Sequence, residues 1–189
     1  MSILILDNIA RHVALNSFEE QYFLSLLEYK AIKRKDMLLQ AGKISKVISF
    51  VTKGCLRIYS ADENGTEHVL LFAPEDWWCG DLFSFHTHVP ATYNIDALED
   101  TEVLQITSEK LEMLYIQVPK FERFFRILFQ NGFIMHQKRI IAELTLTAEQ
   151  KYAKFRKQYP NLERRIAQKH IASYLGITPV FLSMIRKRR

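Results

Sequence analysis

Residues 168–187 read Gln168-Lys-His-Ile-Ala-Ser-Tyr-Leu-Gly-Ile-Thr-Pro-Val-Phe-Leu-Ser-Met-Ile-Arg-Lys187. Counted from Gln168 as position one, Ile171, Leu175, Ile177, Leu182 and Ile185 are the apolar positions that clamp two short helices together. Ala172, at position five, is small enough to let those helices approach, and Gly176, at position nine, supplies the tight turn. Thr178 is a good N-cap and Pro179 a good first-turn residue for the second helix. An ordinary helical hairpin is the alternative, but the matched positions, the cap and the basic flanks together predict a helix-turn-helix.

The charge distribution points to the same end of the chain. The protein has 189 residues and a net charge of +5. Residues 151–189 hold eleven Lys or Arg against a single acid, Glu163, a net charge of +10, so residues 1–150 carry −5. A basic segment on an acidic body favours a polyanion partner at that end. The two cysteines, Cys55 and Cys79, are too few for a disulfide framework or a four-thiolate metal site. Residues 1–13, MSILILDNIARHV, lack a basic start and meet Asp7 too early for a secretory leader, and no run has the roughly 18 apolar residues of a membrane helix. The expectation is a cytoplasmic protein without a membrane partner.

Upstream, the hydrophobic period changes twice. Ser17-Phe-Glu-Glu20 reads as a capping box that opens a helix ending near Tyr29. From Met37 to Ile106 short apolar runs predict strands at 47–52, 55–60, 68–72, 93–98 and 102–106. Ala41-Gly42, Lys53-Gly54, Asn64-Gly65 and Ala73-Pro74 punctuate them, and Asn64-Gly65 is a strong hairpin signal. Such spacing predicts an antiparallel barrel or sandwich. Residues 108–115 read as a short helix, and a long helical pattern then runs from Pro119 to about Leu146. Its apolar residues fall on more than one face, so one face can cover the barrel while another seeks a partner. Self-association through this helix is expected, with Phe121, Phe125, Leu128, Phe129 and Met135 as interface residues. Thr147-Ala-Glu-Gln150 is a second capping box, and Tyr159-Pro160-Asn161 ends the helix it opens.

With these elements on one chain, the sequence resembles the cyclic-AMP receptor protein / fumarate–nitrate regulator family of bacterial transcription regulators over nearly its whole length. The resemblance rests on the strand pattern VISFVTKGCLRIYSADENGTEHVLLFAPEDWWCGDLFSF at 47–85, on glycines 42, 54, 65 and 80, on the long helix and on the helix-turn-helix. Glu75 is a departure, standing where the family usually turns on a glycine. The resemblance implies an α+β chain: a jelly-roll-like antiparallel β-roll sensor domain at 1–118, a dimerisation helix at 119–146 and a helix-turn-helix DNA-binding domain at 147–189. It also implies no enzyme activity and no resident cofactor. The implied partners are double-stranded DNA, a second copy of the chain, a small-molecule effector of unspecified identity, and RNA polymerase.

The implied effector pocket comprises Gly80, Asp81, Leu82, Phe83, Ala91, Thr92 and Tyr93. In cyclic-nucleotide-binding members a Gly-Glu-Leu cassette holds the ribose and a later Arg-Ser/Thr-Ala holds the phosphate. Here Gly80-Asp81-Leu82 looks like the first half with a shortened acid, while Ala91-Thr92-Tyr93 puts alanine at the arginine position. No Lys or Arg lies between Arg57 and Lys110 to replace it. Removing the partner of a buried charge costs about 3–5 kcal/mol, enough at about 1.4 kcal/mol per decade to turn a micromolar site millimolar. Backbone N–H groups after Gly80 remain as a weak anion cradle. The expected pocket is remodelled, with Trp77, Trp78, Phe83, Phe85 and Tyr93 filling it or receiving an apolar ligand.

Gly80 and His86-x-His88 also resemble the first half of a cupin metal motif, but no Glu follows nearby and no third His comes before His136. Two imidazoles alone make a poor site, so the expectation is no metal and two solvent-facing histidines on a loop. A cupin-like metal-binding protein, or a dimeric ligand sensor that does not act on DNA, are the rival readings.

On DNA, the second helix of the motif would present Thr178, Pro179, Val180, Ser183, Met184 and Lys187. Val180 and Met184 offer methyl contacts to thymine, and the hydroxyls of Thr178 and Ser183 suit phosphates. Lys169, Arg186, Lys187, Arg188 and Arg189 would supply further phosphate contacts. The sequence stops just past this helix, so no strands of a wing are expected after it.

Overall fold

A computed structural model describes residues 2–187. The chain order is α1 (Ser2–Ala10), α2 (Ser17–Leu26), β1 (Glu28–Ile32), β2 (Met37–Leu39), β3 (Val47–Lys53), β4 (Leu56–Ala61), β5 (Glu67–Ala73), β6 (Trp78–Cys79), α3 (Leu82–Thr87), β7 (Asn94–Ala97) and β8 (Thr101–Thr107). Helices α4 (Ser108–Gln117), α5 (Lys120–Thr145), α6 (Ala148–Gln158), α7 (Leu162–Arg165), α8 (Gln168–Leu175) and α9 (Pro179–Lys187) complete it. The expected α+β architecture is what the chain adopts: antiparallel strand pairs, one long helix and a helical C-terminal segment.

The strands form two four-stranded sheets, ordered β1-β8-β3-β6 and β2-β7-β4-β5. In the first, β3 runs antiparallel to β8 with Ile48 opposite Ile106, Ser49 opposite Gln105 and Phe50 opposite Leu104. Strand alternation then sorts the side chains. Ile48, Phe50, Leu104 and Ile106 join a helix-covered core with Ile5 and Ile9 of α1, Phe23 of α2, Leu111 of α4 and Phe121, Phe124 and Phe125 of α5. Ser49 and Gln105 point to the opposite face, where the Gln105 amide donates to the Ser49 hydroxyl at 2.9 Å and satisfies both buried groups. The aromatic centre of the core includes Trp78, whose ring packs edge-on to Phe125 and tilted against Phe50.

Gly54 cannot be replaced without strain. Its φ is +88°, and a Cβ there would lie 2.5 Å from Thr101 Oγ1 and 2.7 Å from the Asp100 carbonyl. Its N–H donates to the Glu75 carboxylate at 2.9 Å, which gives the departure at Glu75 a local role. The left-handed residue of that turn is its neighbour Asp76, at φ +70°, whose carboxylate is held by Asn8 and Arg11.

Two local expectations shift. The cap of α2 is Asn16, paired reciprocally with Glu19, and not Ser17 with Glu20. Both spacings fit the pattern, and the chain uses the earlier one. His86, expected with His88 on a loop, instead lies in α3, which the Asp81 side chain caps through the Ser84 N–H.

The chain divides into two compact units. One comprises 1–58 and 72–130, and the other 59–71 and 131–189. Helix α5 therefore contributes its first half to one unit and its second half to the other. Within the second unit the β4–β5 hairpin meets α8: Ser173 Oγ donates to the Glu67 carbonyl at 2.6 Å and accepts from the Val69 N–H at 3.0 Å. No helix among the described residues is long and apolar enough to cross a membrane.

Candidate nucleic-acid interface and effector pocket

The motif at 168–187 folds as its sequence dictates. Ile171, Ala172, Leu175, Leu182 and Ile185 are buried between α8 and α9. Gly176 takes φ +67°, and the N–H groups of Gly176 and Ile177 close the end of α8 on the carbonyls of Ser173 and Ala172. Thr178 Oγ1 accepts from the Phe181 N–H at 3.1 Å, so the threonine caps α9. That bond uses an acceptor lone pair and leaves the hydroxyl proton free to donate.

The outer face of α9 is exposed at Thr178, Pro179, Val180, Met184 and Lys187, with Val180 71% accessible. Ser183 and Arg186 are half-buried at its edge, and Lys169 is exposed on α8. Arg188, and Arg189 with it, lie outside the described residues. Val180 is an exposed β-branched side chain in the first turn of α9.

Helix α5 redistributes the expected interface. Phe121 and Phe125 are 0% and 1% accessible within the chain's own core, so neither can serve a partner. Leu128 and Phe129 are half-buried against the same core. Met135 is half-buried too, and its sulfur receives the Gln158 side-chain N–H at 3.6 Å. The exposed apolar residues of α5 lie further on: Phe133, Ile134, Ile140, Ile141 and Leu144, of which Leu144 is 80% accessible. The spacing of Phe133, Ile140, Ile141 and Leu144 puts them on one stripe of the helix.

At the pocket expected from 80–93, Asp81 is 1% accessible. Its Oδ1 accepts from the Ser84 N–H at 2.9 Å, and the Phe85 N–H donates to the Asp81 carbonyl at 2.8 Å. Asp81 thus already takes the N–H groups of Ser84 and Phe85. Its Oδ2 is buried without a hydrogen-bond partner among the described residues. The Tyr93 hydroxyl donates to the Gly80 carbonyl at 3.3 Å, and burial, then the Asp81 carboxylate and Cys79, raise its pKa. Burial pushes the Cys79 thiol up to about 12.

Ala91, at the arginine position, is buried, and its backbone is fully used. Its N–H donates to the Lys43 carbonyl and its carbonyl accepts from Gly42. Leu82 and Phe83 of α3 are exposed, as is Thr92, while Phe85 and Trp78 belong to the core. The expected aromatic pocket therefore splits: Trp78 and Phe85 are structural, and Phe83 faces outward. His86 lies on α3, its ring edge-on to Phe85 and Phe129, and His88 ends α3 in a left-handed conformation. Among the described residues no three His, Cys, Asp or Glu side chains converge to hold a metal ion.

Sequence reasoning missed a buried ion pair. Arg57 of β4 and Asp96 of β7 stand on neighbouring strands, with Nε–Oδ1 2.9 Å and Nη2–Oδ2 2.6 Å, and both are almost fully buried. The available signal was a lone arginine in the apolar run CLRIYS and a lone aspartate in YNIDAL.

Comparison with known proteins agrees with this architecture. Residues 29–117 match the family described as the cyclic nucleotide-binding domain. No curated protein matches the chain in sequence. Among solved structures, CLP, the c-di-GMP-responsive global regulator of Xanthomonas campestris, superposes with a TM-score of 0.73 at 12% identity, over 92% of this chain and 91% of its own. FixK2 of Bradyrhizobium japonicum gives 0.70 at 16% identity, over 86% and 83%. A protein from Eubacterium rectale assigned to the crp/fnr family of transcriptional regulators gives 0.68 at 18% identity, over 92% and 83%. Residues 29–117 thus carry the cyclic nucleotide-binding domain pattern, and the chain shares its fold with these solved structures.

Proposed function

We propose that the protein is a homodimeric DNA-binding transcription regulator whose sensor pocket does not hold cyclic AMP in the family's usual way. The observation that carries the DNA reading is the capped α9, with Thr178, Pro179, Val180, Met184 and Lys187 on one exposed face beside a segment of net charge +10. Ser183, Arg186 and Lys169 extend this face toward phosphates, and Arg188 continues it in the sequence. The proposed division is a sensor domain at 1–118, a dimerisation helix at 119–146 and a DNA-binding domain at 147–189. The stripe Phe133, Ile140, Ile141 and Leu144 would join two α5 helices, so that two α9 helices enter successive major grooves of a near-palindromic site. RNA polymerase is a further proposed partner, by analogy with the family alone.

The effector reading rests on Asp81 and Ala91. A cyclic phosphate brought to 80–93 would meet a buried carboxylate that already takes the Ser84 N–H, and alanine in place of the cation. What remains is an unpaired acceptor, Asp81 Oδ2, which suits a neutral donor such as a hydroxyl.

Calorimetric titration with cyclic AMP tests the effector half, and no binding tighter than about 1 mM is expected. Selection of bound duplexes from a random pool tests the DNA half. Half-sites one helical turn apart, about 10–10.5 base pairs, support the dimer on DNA. Failure to enrich any sequence contradicts it.

A further inference from the structure

The second compact unit contains a pocket of about 330 Å³ that none of residues 80–93 lines. Its walls come from the end of β5, the second half of α5, α6 and the end of α8. Its apolar lining is the buried Phe155 and Leu175, the half-buried Leu71 and the exposed Ile134.

The rim is cationic. Lys138, Arg139, Lys151 and Lys154 line it against one carboxylate, Glu143, which pairs with Lys151 at 2.7 Å. Three positive charges are left without a counter-ion among the lining residues. Arg139 is held rigidly: Nη2 donates to the carbonyls of Val69 and Tyr174 at 3.0 and 3.2 Å, and the guanidinium lies 4.2 Å over the Tyr174 ring. The Lys154 ammonium donates to the Lys138 carbonyl at 3.0 Å. Carbonyls and a ring face satisfy donors, but they do not cancel charge. Desolvation, then the neighbouring Arg139 charge, lowers the pKa of His136, another lining residue.

An apolar lining beside an excess of cations, with Arg139 anchored among them, is complementary to a ligand with an apolar body and one anionic end. At about 30 Å³ per heavy atom, the volume suits a body of roughly ten heavy atoms. We infer that this pocket binds a small amphipathic carboxylate. Bound there, it would tie together the four elements that build the pocket. The inference is independent of whether α9 contacts DNA, because occupancy is read without DNA.

The test is calorimetric titration of the full-length protein with octanoate, using octanamide as the neutral isostere. The account predicts one octanoate per chain and clearly weaker binding of octanamide. Removing two exposed cations in the Lys138→Gln/Lys154→Gln variant weakens octanoate roughly two- to thirtyfold and leaves octanamide unchanged. Filling the pocket in the Ile134→Trp variant abolishes octanoate binding while the fold persists by circular dichroism. Equal affinity for octanoate and octanamide, an unchanged octanoate affinity in the double lysine variant, or no saturable binding below about 10 mM each overturn the proposal.

Discussion

The Arg57–Asp96 pair gives the sharpest quantitative prediction. Two N–H···O contacts of 2.9 and 2.6 Å fix the guanidinium on the carboxylate, with side-chain accessibilities of 4% and 12%. Asp96→Ala leaves the guanidinium buried without its counter-charge, a change that costs about 3–5 kcal/mol. A domain of this kind is stable by only about 5–15 kcal/mol, so much of that margin goes. With a urea m-value of about 2 kcal/mol/M, the unfolding midpoint falls by roughly 1.5–2.5 M. Trp77 and Trp78 lie in the same compact unit as the pair, so tryptophan fluorescence reports on the right transition. Replacing both partners in Arg57→Met/Asp96→Leu removes the desolvation cost together with the attraction, and the midpoint returns to the wild-type value or above it. A loss under about 0.5 M for Asp96→Ala, or a double variant as unstable as the single one, refutes the reasoning.

Three further outcomes follow from single features. Gly54→Ala forces a side chain at φ +88° to within 2.5 Å of Thr101 Oγ1 and costs about 1–3 kcal/mol or more, measured by urea unfolding. Ile140→Glu/Leu144→Glu puts charges on the exposed stripe of α5, and sedimentation velocity is expected to show a dimer becoming a monomer without loss of helix. Cys55 and Cys79 are both buried, and burial pushes the Cys79 thiol to about 12, so an aromatic disulfide reagent at pH 8 labels neither until the protein unfolds. Rapid labelling of the native protein contradicts that last expectation.

Some of this was legible in the residues and some was not, for physical reasons. The strands were readable because glycine turns and apolar alternation are local signals, and every strand expected between 47 and 106 has its counterpart. The motif at 168–187 was readable because small, left-handed and capping positions each admit few residue types. The partition of α5 was not. Periodicity reveals two apolar faces, but which one the chain itself covers depends on packing far away in sequence. Phe121 and Phe125 therefore looked available until Phe23, Trp78 and Tyr115 were seen against them. In residues 80–88 the missed feature was the helical turn: its signal, Asp81 as a cap, is a single residue in a segment otherwise read for its glycine and histidines. Arg57, Asp96 and the cationic pocket required strands and helices remote in sequence to meet, and no local pattern encodes that.

The central claim is that α9 reads a DNA groove with a basic surround. The measurement that tests it most directly is the equilibrium constant for a selected duplex as a function of salt, for the wild type and for Lys187→Gln. If six or more phosphates are engaged, affinity falls by about a thousandfold or more between about 50 and 200 mM salt, and the slope of log K against log salt is steep. Lys187→Gln, losing one phosphate contact per protomer, flattens that slope by about one unit per protomer and weakens all sequences alike. Binding that ignores salt, or a variant with the wild-type slope and affinity, would contradict the claim.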